Sequence, residues 1–452
     1  MAIWDRLRGM QLFQGNPEVL ALSFARMGDA IGNAILIIVI PLLITNLPSP
    51  LFPITEPERV GVLIALYGLL AALVQPIGGS LVDRTNRHKL FILAGLAAMA
   101  IATLGFSFAT TFTDLMALRA LQGIGFALTV PASLAIVTIA TQRTTRGGSM
   151  GIYNSSRFLG FAIGPLIGGY LYTAYGADLA FYVGAGFILL AIGLVQVYVK
   201  EVKAPEKGEQ PQKAQASKKA QADLDDPKRD EGQKKRTQKG KSRFSLESLG
   251  FISAGIGGLA FAVFLMASAF AMLITLEPQF NARLHETAFA FSIAFSTLAA
   301  TQVVLQYPIG RVSDRWGRKP FVIAGLLIIA PATIALGYIT TTLQLVGIRF
   351  VQGIATAAIA APAFALAGDL SKQGTQGRQL SVVTTGFGLG IALGPLIAGF
   401  LVSYGFSIPF LVGGALSLLG AWVVYQYVPE TVERKPGSRP FKLPFFNRKE
   451  KK

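Results

Sequence analysis

Twelve apolar stretches follow one another along the chain, centred near residues 33, 70, 100, 127, 162, 189, 263, 299, 330, 357, 391 and 418. Many lie in segments of about 20 residues, the length a helix needs to cross a bilayer. Only 14% of the residues are charged, against roughly 25% in an ordinary soluble chain. Such a chain belongs in a membrane. There every backbone N–H and C=O has to be satisfied within the protein, so the spans are helices; barrel strands would be about ten residues long and would alternate. The expected fold class is an all-α integral membrane protein with twelve transmembrane helices.

The loops orient these helices. Arg84, Arg87 and Lys89; Arg143 and Arg146; Arg311, Arg315, Arg318 and Lys319; and Lys372 and Arg378 fall in alternate connections, whereas the other connections offer only Arg283 in mid-loop. Bases collect on the cytoplasmic side, which puts both termini there, in a plasma (inner) membrane. Residues 200–246 are rich in Lys, Gln, Asp and Pro and nearly devoid of apolar side chains, the composition of a disordered cytoplasmic linker. The chain then divides into a six-helix bundle over 1–199, the linker over 200–246, a second six-helix bundle over 247–428 and a basic tail over 429–452.

The net charge of +17 sits in loops and tails rather than along a face with interleaved aromatics, which argues against nucleic acid as a partner. There is no cysteine, and only His88 and His285 are available, so neither a cysteine-based nor a histidine-rich metal site is expected. The stretch MAIWDRLRGMQLFQGNPE has bases but no short apolar core before a small-residue cleavage site, and no signal peptide is read there.

The two halves match at a shift of about 230 residues. GSLVDRTNRH from Gly79 answers GRVSDRWGRK from Gly310, pairing Asp83 with Asp314, Arg84 with Arg315 and Arg87 with Arg318. RALQGIG from Arg119 answers RFVQGIA from Arg349, Pro131 answers Pro362, and GFAIGPLIGG from Gly160 answers GIALGPLIAG from Gly390. Six is an even number, so both copies run the same way through the membrane and the repeat is parallel, about an axis along the membrane normal.

With the G-x-x-x-D-R-x-x-R loop present twice, the sequence resembles the major facilitator superfamily over essentially its whole length except the linker and tails. The resemblance implies two six-helix bundles rocking about a central cavity. It also implies that Asp83 and Asp314 each meet a helix N-terminus of the opposite half, where a carboxylate is favoured, while Arg84, Arg87, Arg315 and Arg318 form ion pairs. Gly79 and Gly310 permit close helix approach at that latch. The resemblance further implies an acid at the cytoplasmic end of span 4 or 10 as partner of the second Arg: the second copy has Asp369 there, and the matching place in the first holds Ile139, Ala140 and Thr141.

Charges inside spans are costly and so mark candidate functional sites. Asp29 lies twelve residues beyond Pro17, about 18 Å deep at 1.5 Å per residue, with Arg26 three residues earlier on the same face. The pair is either a structural ion pair or a proton switch, since a moving Arg changes how readily a buried carboxylate holds a proton. Arg119 with Gln122, in R-x-x-Q-G, resembles the motif of proton-coupled drug antiporters, whose Arg faces the cavity; Arg349 is its repeat partner. Gly160, Gly164, Pro165 and Gly168, with Gly390, Gly394 and Pro395, form a helix-bend motif that the same resemblance links to antiport and to a seal between the halves.

The expected function is secondary active transport, proton-coupled export of small amphipathic or lipophilic compounds. Alternatives are proton-coupled uptake of a sugar or organic anion and, from another class, a lipid flippase or a receptor that no longer transports. No catalytic constellation stands out, so no enzyme activity and no cofactor are expected, with a proton gradient as the driving force and the chain acting as a monomer in the bilayer.

Overall fold

The computed structural model describes residues 17–45, 47–141, 146–201, 254–370 and 376–431. Among them are twelve helices long and apolar enough to cross a membrane. They are α1 (Pro17–Ile44), α2 (Glu56–Thr85), α3 (His88–Gly105), α4 (Phe112–Ile139), α5 (Arg146–Tyr175) and α6 (Ala177–Tyr198) in the first half, and α7 (Ala254–Thr275), α8 (Ala288–Trp316), α9 (Arg318–Leu336), α10 (Thr342–Leu370), α11 (Gln376–Leu401) and α12 (Ile408–Tyr427) in the second. Each expected span centre falls inside its helix. Of the segments between and beyond them, 202–253 and 432–452, which hold most of the expected linker and tail, lie outside the described residues.

Local chemistry sets the helix ends. Thr55 and Glu58 form a capping box at the start of α2, with Pro57 in its first turn; Thr111 and Asp114 do the same for α4, the Asp114 carboxylate accepting from the Thr111 N–H at 2.8 Å. The turn after α2 passes through Asn86 at φ 55°, and its repeat counterpart after α8 through Gly317 at φ 103°. Gly and Asn adopt positive φ at a helix end most readily.

The halves share one packing plan: α1 packs on α5 and α6, α2 and α3 on α4, and α3 on α6, just as α7 packs on α11 and α12, α8 and α9 on α10, and α9 on α12. The halves touch chiefly through α2 against α11 and α5 against α8. Those contacts concentrate at the end away from the basic loops. A methyl group on Gly61 would lie 2.7 Å from the Pro395 carbonyl, and one on Gly169 would lie 2.9 Å from that of Ala288. At this end a single apolar core joins the halves, running from Ile35, Phe106 and Phe112 to Phe280, Phe291 and Phe410. Towards the basic loops the core splits into one cluster per half, with Val82 and Ile92 in one and Val322 and Val428 in the other. The molecule is therefore sealed at one end and parted at the other.

Candidate functional site

The central cavity is lined on one wall by α1, α2, α4 and α5 and on the other by α7, α8, α10 and α11. Among the described residues, all its ionisable charge is on the first wall: Arg26, Asp29, Arg119 and Arg157. The second wall offers Gln302 and Thr356 among apolar side chains such as Met266, Phe270 and Phe387. Phe158 lines both this cavity and an opening between α5 and α8 at the basic end, which also contains Gly310, Arg311 and Asp314.

Helix α1 begins at Pro17, so Asp29 sits about 18 Å along it. Arg26 Nη1 donates to Asp29 Oδ2 at 2.6 Å with both side chains buried, while Oδ1 has no hydrogen-bond partner among the described residues. The Arg26 guanidinium also stands 4.9 Å over the Phe126 ring and 5.9 Å over that of Tyr153. A short, buried pair one helical turn apart neutralises both charges locally and leaves one carboxylate oxygen available.

Asp29 and Arg119 form no ion pair or hydrogen bond with each other in this conformation. Arg119 Nη1 instead donates to Gln122 Oε1 at 3.0 Å and to Asn33 Oδ1 at 3.4 Å, one turn of α1 beyond Asp29. Asn33 passes the contact on to the Tyr67 hydroxyl at 2.9 Å, and Gln122 donates to Thr103 Oγ1 at 2.9 Å. The second half repeats the inner part of this arrangement: Arg349 donates to Gln352 at 2.9 Å, and Gln352 to Thr333 at 3.1 Å. Arg349 is fully buried among Phe270 and Phe295, and neither it nor Gln122 lines the cavity.

In the second copy of the charged loop, Arg318 Nε and Nη2 donate to Asp314 Oδ1 at 3.0 and 2.9 Å, and Nη1 donates to Asp369. Asp314 thus holds an arginine of its own half, and the cross-half contact implied by the resemblance is not made with the basic end parted. In the first copy Arg84 and Arg87 are exposed, and the side chain of Asp83 lies outside the described residues. A methyl on Gly79 or Gly310 would meet its nearest neighbour, Pro131 or Ala361, at an ordinary 3.6 Å, so neither glycine is forced by packing in this conformation. Arg315 is exposed.

The helix-bend glycines serve packing within each half. Methyls on Gly160, Gly164 and Gly168 would clash with α1, the second of them 2.6 Å from Ala34 Cβ, and methyls on Gly390 and Gly394 would clash with α7. Pro165 lies inside an uninterrupted α5. The Pro395 carbonyl meets the opposite half, against Gly61.

Three features escaped the sequence. Arg157, on α5, carries no ion pair or hydrogen bond among the described residues and lies over Phe126, Phe161 and Phe387. Glu277 opens a two-turn helix (Glu277–Leu284) at the sealed end, is fully buried, and has neither carboxylate oxygen hydrogen-bonded among the described residues. Glu430 accepts the Lys319 N–H at 2.9 Å and Glu201 the Lys89 N–H at 3.2 Å, each placing a carboxylate at the start of α9 or α3, where a helix N-terminus favours it. Among the described residues no cluster of His, Asp and Glu is arranged to hold a metal.

Comparison with known proteins agrees with the twelve-helix fold. The family model described as Major Facilitator Superfamily matches residues 22–255 and 259–450. The chain is similar to multidrug resistance protein MdtG of Serratia proteamaculans, 27% identical over 371 residues that cover 81% of this chain and 82% of that protein. It is also similar to the chromaffin granule amine transporter of Homo sapiens, 24% identical over 379 residues, 82% of this chain and 65% of that protein. Among solved structures, a bacterial homolog to the human lysosomal transporter Spinster, in an inward-facing and occupied conformation, matches with a TM-score of 0.69 at 19% identity, over 90% of this chain and 95% of that one.

Proposed function

The chain belongs to the major facilitator superfamily and is a multi-pass membrane transporter, and on that premise we propose that it exports small amphipathic or lipophilic compounds in exchange for protons. Similarity to proteins named for multidrug resistance supports the kind of cargo. A largely apolar cavity with a few polar groups suits it as well. The basic loops support a reading in which the parted end faces the cytoplasm of a cell whose plasma (inner) membrane holds the protein, with both termini on that side.

The observation that carries the proton part is Asp29. Among the described residues it is the one carboxylate lining the cavity, buried at mid-span with one oxygen bonded to Arg26 and the other unpartnered. A carboxylate in a low-dielectric cavity changes its charge readily when its surroundings change. In the cycle, Asp29 takes a proton while the cavity faces outward, which loosens its hold on Arg26. It releases the proton once the cavity faces the cytoplasm and cargo enters. Cargo shifts the balance between the two states only through unequal affinity for them.

Proteoliposomes loaded with a fluorescent lipophilic compound test this. An outside-acid pH gradient accelerates loss of the compound, and a compound gradient alone drives protons the other way. A flux indifferent to the pH gradient contradicts the proposal.

A further inference from the structure

The Arg26–Asp29 pair does not by itself let a proton respond to cargo, because both side chains ride on α1 three residues apart and travel together. Arg157 differs in every relevant respect. It stands on α5, lines the same cavity, and is close enough to Asp29 to act on it electrostatically. Its guanidinium carbon lies 5.7 Å from the ring centre of Phe126, 5.4 Å from that of Phe161 and 5.8 Å from that of Phe387. Phe126 and Phe161 belong to its own half; Phe387, on α11, belongs to the other.

Ring faces attract a guanidinium but give it none of the directed acceptors it would have in water. Those same faces are what a planar lipophilic molecule seeks when it enters such a cavity. Cargo and Arg157 therefore compete for one surface. The other groups facing Asp29 are held more firmly: Arg26 moves with it, Arg119 is bonded to Asn33 and Gln122, and the Tyr67 hydroxyl accepts from Asn33. Tyr153 of α5 packs under Arg26. Among the described residues, the wall formed by α7, α8, α10 and α11 presents no titratable side chain to the cavity. Arg157 is the cation there with no directed bond to break among the described residues.

We propose that Arg157 is the positioning residue that couples cargo to the proton: cargo occupying the faces of Phe126, Phe161 and Phe387 displaces the guanidinium towards Asp29, which then gives up its proton. In that step the O–H bond of Asp29 breaks, its electron pair stays on the carboxylate, and the proton passes to water at the parted end. A cation approaching a carboxylate favours the ionised form. Because Phe387 comes from the opposite half, the same displacement depends on how the halves are disposed. This assignment rests on the proton-coupled transport proposed above and adds the residue that links its two ligands.

The test is proton release on binding, measured with purified protein in a neutral detergent and weak buffer between pH 5 and 9. The probe is N-phenyl-1-naphthylamine, whose fluorescence reports binding; it is uncharged, since three guanidiniums against one carboxylate repel a permanent cation. Wild type releases up to about one proton per probe bound, as a single titrating group allows, and Asp29→Asn releases none. Arg157→Gln still binds the probe but releases less than about a tenth as many protons, and Arg157→Lys restores part of the release, the cation being what acts on Asp29. Phe387→Ala, which leaves the cation in place and removes the ring of the other half, also lowers the release. Wild-type release from Arg157→Gln overturns the assignment while leaving proton-coupled transport standing. If Arg157→Gln fails to bind the probe, wild-type release from both Arg157→Lys and Phe387→Ala overturns it equally. No release from wild type at any pH overturns the proton-coupled function itself.

Discussion

Arg26 and Asp29 face each other across one turn of α1, with Nη1 2.6 Å from Oδ2 and the second carboxylate oxygen unpartnered. Removing one member strands the other charge in a buried place, which costs about 3–5 kcal/mol, whereas replacing both with apolar groups of similar size is close to neutral. Thermal unfolding of Arg26→Met, Asp29→Leu and the double variant checks this. Each single variant melts well below wild type, and the double variant melts above both. Additive losses would mean that the pair is not coupled as its geometry implies.

Packing of α5 on α1 gives a second expectation. A side chain at Gly164 would put its Cβ 2.6 Å from Ala34 Cβ and 2.8 Å from the Ile31 carbonyl, both on a helix that has no room to retreat. Gly164→Val therefore loses stability by about 1–3 kcal/mol or more. Gly186, on α6, has nothing within 4 Å of the same construction, and Gly186→Ala is neutral or slightly stabilising. Melting points of the two purified variants separate the cases.

The sealed end carries a pH dependence of definite sign. Burial pushes the Glu277 carboxyl well above the usual carboxylate range. Tyr172 of α5, in the opposite half, lies close enough to interact with it electrostatically. The folded state thus binds this proton more tightly than the unfolded chain does. Its contribution is fully present at pH below the ordinary glutamate value and is lost as pH rises through the raised one. Wild type should show a falling melting point over that rise, and Glu277→Gln, which stays neutral, should show a flatter profile. Equal slopes in the two proteins would count against a buried proton.

The Asp314–Arg318–Asp369 cluster ties the end of α8, the start of α9 and the end of α10 within one half. The Asp369 side chain is 39% exposed and that of Asp314 53%, so solvent screens both pairs. Asp369→Asn consequently costs under about 1 kcal/mol of stability, as surface pairs do. Thermal melts with and without added salt test this, the salt effect shrinking in the variant.

The sequence revealed the fold through features that act locally or repeat. Apolar length marks α1 to α12, and the twofold G-x-x-x-D-R-x-x-R loop marks the repeat, because a span needs only its own residues to declare itself. Asp29, Arg26 and Arg119 were legible for the same reason: a charge inside an apolar run is conspicuous. Arg157 was not, since in YNSSRFLG it reads as one more base near a basic loop, and its place in the cavity depends on Phe126 and on Phe387, which is 230 residues away. Glu277 reads as a loop acid because the seam that buries it is built from both halves. The helix-bend glycines were visible as a motif, but the sequence carried no sign that they face α1 and α7, and only the assembled helices show it.

Asp29 is the proposed carrier of the proton. Its most direct test compares two modes of transport in the same proteoliposomes: exchange of labelled for unlabelled compound at equal pH, and net flux driven by an imposed pH gradient. Asp29→Asn is expected to retain exchange and lose gradient-driven flux, because cargo still shuttles but no proton is bound. Gradient-driven flux that survives undiminished in Asp29→Asn contradicts the account.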